Sequence, residues 1–220
     1  TRKTVLFAGG RTEYHYIDML AAFESITQHD KSLQLVIRVY PKKGLLRSAA
    51  MRAFIQYARS LNGVYVSIAD PSFEDGAENR EVLTVEEQEL WTLLKYCDVV
   101  VNLYSTIALE ACLFDKPIIN MWYFGRVGMT IQQPIYTPYP EIHHIRKFES
   151  YGAAEKATTR EELIGLIRDA IKHPDSKSEQ RRLAVTRELG PLDGNVKGRL
   201  VDFCCSSISG IKSANRTRAA

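Results

Sequence analysis

Little in this sequence marks a nucleic-acid binder, a disulfide scaffold or a membrane protein. Its 220 residues hold 29 basic and 26 acidic side chains, a net charge of +3. No basic footprint and no acidic tail stands out from that balance. Cysteine is scarce, with four in all (Cys97, Cys112, Cys204, Cys205), none spaced as CxxC and two adjacent. That pattern suits reduced thiols of a cytoplasmic protein, not a disulfide framework or a zinc site. No apolar run reaches the length of a membrane span, and no signal peptide is visible. There is no GxGxxG pattern, no internal repeat and no low-complexity tract. The first residue is Thr1, so the chain reads as a domain cut from something longer.

What is present is a hydrophobic content of 45%, enough for one substantial domain, and a run of alternating strand and helix patterns. The centre of the chain is DVVVNLYSTIALEACLFDKPIINMWYF, from Asp98 to Phe124. Asp98–Leu103 is a valine-rich apolar run suited to a strand buried on both faces. Tyr104-Ser105-Thr106 breaks it, and a helix follows over Thr106–Phe114 with Ser105 as its expected N-cap. Pro117 ends that helix, and Pro117–Tyr123 is a second buried strand. Strand, helix and strand make a βαβ unit.

The chemistry lies in its turn. A helix start at the carboxyl end of a parallel strand favours phosphate, and Ser105 and Thr106 add two hydroxyls. Glu110, one turn on, places a carboxylate where it can accept from two ribose hydroxyls. Phosphate first and ribose second describe a nucleoside diphosphate laid over the turn. The alternative is that Ser105 only caps the helix and Glu110 is a solvated helix residue.

Around this unit, Thr4–Ala8 is a first strand ending in Gly9-Gly10-Arg11, where backbone can approach a ligand and Arg11 supplies a fixed charge. A helix covers Thr12–Thr27, and His15 on it is a surface or packing residue more than a catalytic one. Leu33–Val39 is the next strand. One long helix runs from about Leu45 to Leu61, Val64–Ile68 is a third strand, and 70–80 is a polar loop. Thr84-x-x-Glu87 matches a capping box opening a helix over Val85–Tyr96. The stretch from Phe124 to Lys156 is the least regular, with three prolines and the pair His143-His144. Gly152–Ala157 is a short last strand, and helices follow from Thr158, over Ser178–Leu189 and over Val196–Ile208. The domain spans 1–208, with 209–220 as a polar, basic, frayed tail.

The segment Asp98-Val-Val-Val-Asn-Leu-Tyr-Ser-Thr-Ile-Ala-Leu-Glu-Ala, followed by Asp115-Lys116-Pro117-Ile-Ile, resembles the donor-nucleotide segment of GT-B glycosyltransferases. The likeness is greatest to the CDP-glycerol glycerophosphotransferase-like branch, with non-hydrolysing UDP-GlcNAc 2-epimerases as structural cousins. A second stretch, Gly190-Pro-Leu-Asp193-Gly194 with Arg199, resembles the C-terminal signature of the same branch, and Asp193 would cap the last helix.

The resemblance implies a Rossmann-like three-layer αβα domain, the C-terminal half of a GT-B enzyme. Its sheet would have six mostly parallel strands in the order 3-2-1-4-5-6. It implies that Ser105 and Thr106 meet the donor diphosphate and Glu110 the ribose. It puts Gly10 and Arg11 at the interdomain cleft, Arg11 stabilising the leaving diphosphate. His144, with His143 second, is the preferred cleft histidine; the alternative is that both cap or pack the loop. The family has an Arg followed by His-Pro where this chain has Arg38 and Tyr40-Pro41. A tyrosine donates a hydrogen bond but stays un-ionised near neutral pH, so Arg38 and Tyr40 are assigned to binding, not to proton transfer.

No metal is expected. The implied partners are a nucleotide-activated donor, a glycan or polyol-phosphate acceptor and a further N-terminal domain or partner chain. The full enzyme would be cytoplasmic, with a peripheral link to the inner membrane face. Rival readings are a UDP-sugar 2-epimerase relative and a non-catalytic nucleotide-binding module that works with a separate chain.

Overall fold

Six short apolar segments pair into one parallel sheet, and the strand order decides where a ligand can sit. The computed structural model describes residues 2–10, 14–28, 30–40, 42–68, 80–123 and 142–217. The strands are β1 (Lys3–Ala8), β2 (Leu33–Val39), β3 (Val64–Ile68), β4 (Val99–Asn102), β5 (Ile118–Met121) and β6 (Glu155–Ala157). Every pair is parallel, and the order is β3-β2-β1-β4-β5-β6. This is the doubly wound order expected from the sequence, a Rossmann-like αβα fold.

Strand side chains alternate between two apolar layers because successive residues point to opposite faces. Val5 and Phe7 of β1, Val99 and Val101 of β4, and Ile119 of β5 face one core. That core is closed by α1 (Tyr14–Thr27), α2 (Lys43–Arg47), α3 (Ala49–Ser60) and α7 (Arg160–Lys172). Leu6, Ala8, Val100 and Ile118 face the other. It is closed by α4 (Arg80–Tyr96), α5 (Ile107–Leu113), α6 (His143–Ser150) and the first turns of α8 (Ser178–Leu189). Contacts divide the chain into a unit Thr1–Val185, which holds the whole sheet, and a unit Thr186–Ala220.

Several boundaries differ from the sequence expectation, each for a local reason. The long helix over 45–61 is two helices, because Ser48 breaks it and its side chain accepts from the Met51 N–H at the start of α3. Helix α4 begins at Arg80, so Thr84 and Glu87 lie inside it and do not mark its start. Within the supposedly irregular 124–156 stretch, α6 forms because Ile145 and Phe148, three apart, share one buried face. In the second unit, α9 runs Val196–Thr217, past the expected end at Ile208. Asp193 accepts from the Asn195 N–H at 3.0 Å and pairs with Arg199 at 2.7 Å, tying the start of that helix.

Two ion pairs lock elements of the first unit. Asp18 on α1 is buried and meets Arg160 on α7 at 3.1 Å. Asp115 accepts from the fully buried Arg181 at 2.6 Å and from Ser178, so the α5–β5 turn is bolted to α8. That turn needs Asp115 in the left-handed region, at φ 51°.

Candidate functional site

In a doubly wound sheet the ligand crevice opens where helices leave in opposite directions from neighbouring strands. Here those strands are β1 and β4, since α1 packs on one face and α5 on the other. The β1 loop and the β4 turn meet at this point. A Cβ on Gly10 would lie 2.6 Å from Leu103 Cδ1, and one on Gly9 would lie 2.1 Å from the Tyr16 ring. Gly9 is therefore demanded by packing, a reason independent of any ligand, whereas at Gly10 only the tip of Leu103 would have to shift.

The register aligns one residue per strand along the carboxyl edge: Ser67, Arg38, Ala8, Asn102, Asn120 and Lys156. The row lies on the α4/α5 face, where Ala8 joins that core. Only Ala8 in it is apolar. Arg38 is buried and reaches Ser67 and Glu89 of α4, the latter at 2.8 Å. Burial alone would raise the Glu89 carboxyl, but its bonds to Ser67 and Arg38 hold it below the usual range. The Arg38 guanidinium thus lies under the crevice, turned towards α4. Tyr40 follows at the end of β2, and its backbone N–H donates to the Tyr16 hydroxyl at 2.9 Å.

Asn102 and Asn120 are the residues that sequence reasoning missed. Both are buried, and Asn102 Nδ2 donates to Asn120 Oδ1 at 2.9 Å. Asn102 Oδ1 accepts the Ser105 N–H at 3.0 Å. The signal was available: a single amide side chain interrupts each of the apolar runs, last in VVVN and last but one in IINM. Beyond this pair Tyr104 takes φ 52°, a conformation disfavoured for a bulky residue. Its ring packs edge-on against Trp122, with centroids 5.1 Å apart, and Lys156 Nζ sits 4.6 Å over the Trp122 ring.

Ser105 and Thr106 are both exposed at the turn. The helix cap is Thr106, without a side-chain cap bond, and Ser105 is not the N-cap expected. The Ser105 N–H is held by Asn102, and its carbonyl accepts from the Ala108 N–H. Helix α5 has only seven residues, so its dipole is a weak contributor and the two hydroxyls are the main donors. Glu110 lies half-buried on α5. Burial and the facing Glu87 of α4 push its carboxyl above the usual range. A carboxylate penalised by burial and by a like charge suits a partner that brings hydrogen-bond donors.

His143 and His144 open α6 and are exposed. A crossover helix runs antiparallel to its strands, so its first turn lies towards the carboxyl edge. His15 is buried beside Gly10, and burial, partly opposed by Asp18, lowers its pKa to about 4. It is a packing residue. Arg11 and the aromatic segment 124–141 lie outside the described residues. Among the described residues, no group of three or more His, Cys, Asp or Glu side chains gathers to hold a metal. None of the helices there is long and apolar enough to cross a membrane.

No family model matches the chain, and no curated protein matches it either. Solved structures do. The structure of MnaA from S. aureus with UDP matches at a TM-score of 0.51 and 12% identity, over 82% of this chain and 39% of that one. The C-terminal CMP-Kdo binding domain of WaaA from Acinetobacter baumannii matches at a TM-score of 0.50 and 15% identity. That match covers 83% of this chain and 87% of the WaaA domain. At such identities the likeness is one of fold. The chain spans about two-fifths of the length of MnaA, 39%, and most of the WaaA domain.

Proposed function

We propose that this chain is the donor-binding half of a GT-B transferase that moves glycerol phosphate or a sugar from a nucleoside diphosphate to a glycan or polyol-phosphate acceptor. The observation that supports it best is the β4–α5 turn at the switch point. There, two exposed hydroxyls, Ser105 and Thr106, stand one helical turn from the half-buried Glu110 carboxylate, whose pKa is raised. Ser105 and Thr106 would donate to the diphosphate, and Glu110 would accept from the ribose hydroxyls. Arg11, with the Gly10 backbone beside it, would stabilise the charge that develops on the leaving nucleotide. His144, at the start of α6, would serve at the cleft, and Arg38 with Tyr40 would shape its floor. In this reading no metal takes part.

Two of the fold neighbours bear pyrimidine nucleotides in their own descriptions, one solved with UDP and one a CMP-Kdo binding domain. That favours a cytidine or uridine donor. A UDP-sugar 2-epimerase relative, the rival reading of the sequence, would use the same turn for UDP, the nucleotide with which MnaA was solved. In the transferase reading, the acceptor site and the catalytic base belong to a second domain or partner chain. The work takes place on the cytoplasmic side, at the inner membrane face.

The test is calorimetric titration of the chain with CDP, UDP, GDP and CMP, repeated on Ser105→Ala. Saturable binding of one pyrimidine diphosphate, weakened in the variant, is the expected result. CDP points to glycerol phosphate transfer, and UDP to a sugar transferase or epimerase. Absence of binding by any of the four overturns the donor-site reading for this chain.

A further inference from the structure

Asn102 and Asn120 are 0% and 2% exposed, so their amides are settled by protein partners alone. They stand side by side in register on β4 and β5. A primary amide has a donor end and an acceptor end. Asn120 Oδ1 takes the donor end of Asn102 at 2.9 Å, which leaves Asn102 Oδ1 facing the Ser105 N–H at 3.0 Å. Between Asn102 and Ser105 the chain passes through Tyr104 at φ 52°, which other interactions must hold in place.

We infer that Asn102 is the positioning residue of this site and that Asn120 acts on the turn through it. The relay runs Asn120 to Asn102 to the Ser105 backbone, and it fixes where the Ser105 hydroxyl stands. Neither asparagine needs to touch the ligand. Without Asn120, the Asn102 Nδ2 would be a buried donor with its acceptor removed, a costly state. The side chain would turn to satisfy it, and Oδ1 would leave the Ser105 N–H. The turn would then relax from the left-handed conformation at Tyr104, and Ser105 would lose its fixed place. The role of Ser105 as a phosphate-binding residue rests on the donor-site reading above; the relay itself does not.

The experiment is a double-mutant cycle with Asn102→Ala, Asn120→Ala and the two combined. Three quantities are read: hydrogen exchange of the Ser105 amide, affinity for the nucleoside diphosphate, and affinity for the matching nucleoside without phosphates. Each single variant is expected to deprotect the Ser105 amide and weaken the diphosphate by about tenfold, leaving the nucleoside unchanged. The double variant is expected to be no worse than the poorer single one. Asn120→Asp, whose carboxylate still accepts from Asn102 Nδ2, is expected to restore Ser105 protection.

Wild-type protection of Ser105 in Asn120→Ala overturns the inference, and so do losses that simply add in the double variant. If Asn102→Ala does not fold, Asn120→Ala against Asn120→Asp decides on Ser105 exchange alone. A wild-type chain that binds no nucleoside diphosphate removes the donor-site reading, while Ser105 exchange still decides the relay.

Discussion

The Tyr16 hydroxyl accepts the backbone N–H of Tyr40 at 2.9 Å and donates to the Gly10 carbonyl at 2.9 Å. One buried phenol on α1 thus ties the ends of β1 and β2 together at the carboxyl edge. Burial pushes its pKa up, only partly opposed by the Tyr40 bond, so the hydroxyl keeps its proton and can serve both partners. Tyr16→Phe leaves both backbone groups short of a partner. It is expected to lower stability by about 1–3 kcal/mol in chemical denaturation.

Gly9→Ala acts on the same tie by steric means, since its Cβ would fall 2.1 Å from the Tyr16 ring. A loss of at least about 1–3 kcal/mol is expected from overpacking. Gly44→Ala is the contrast. It lies in α2 with nothing within 4 Å of its Cβ, and the gain in helix propensity is up to about 1 kcal/mol. Opposite shifts of the denaturation midpoint in the two variants are the expected outcome.

At the other edge of the sheet, Asp115 neutralises a guanidinium that is 1% exposed. Burial alone would raise the Asp115 carboxyl, but its bonds to Ser178 and Arg181 prevail and lower it. A carboxyl lowered on folding stabilises the protein above its unfolded pKa, and that stability is lost as pH falls through the folded value. Wild-type stability is therefore expected to drop below about pH 4. Asp115→Ala is expected to lose about 3 kcal/mol at neutral pH by stranding Arg181, and to show a smaller further loss in acid. Unfolding curves at a series of pH values check both.

Glu110 has the opposite sign. Its pKa is raised by burial and by Glu87, so the folded state holds its proton more tightly than the unfolded chain does. Ionising it costs stability, and that cost appears as pH rises above the ordinary glutamate value of about 4.3. Glu110→Gln is expected to be more stable than wild type at neutral pH, by less than about 1 kcal/mol because the group is partly exposed to solvent. A substitution that stabilises the fold while weakening ligand binding is the mark of a binding residue and not of a packing one. Thermal unfolding at neutral pH reads the first half of that statement.

Much of this was legible in the sequence because apolar period and turn residues agree with the fold. The strands Leu33–Val39 and Val64–Ile68 and the helix Ser178–Leu189 carry the bounds that their patterns announce. The βαβ unit around Ser105 set the position of the crevice, and the six-strand order followed. What was not legible depended on partners far away in sequence. Arg38 looks like a ligand-facing charge in a strand, yet its guanidinium meets Glu89, 51 positions on, at 2.8 Å. Asn102 and Asn120 are the single polar residues of two apolar strands, and only the β4–β5 register brings them together. Gly9 and Gly10 suggest a ligand loop, while the Tyr16 ring that requires Gly9 comes from α1. Thr84-x-x-Glu87 has the form of a helix start, but α4 already begins at Arg80.

The central claim is that Glu110 reads the ribose of a nucleotide held at Ser105 and Thr106. The most direct measurement is the affinity of the chain for its preferred nucleoside diphosphate against the 2′,3′-dideoxy analogue, in wild type and in Glu110→Ala. The account predicts that wild type prefers the ribonucleotide by about tenfold or more, and that Glu110→Ala binds both equally and weakly. An undiminished preference in Glu110→Ala, or none in wild type, would contradict it.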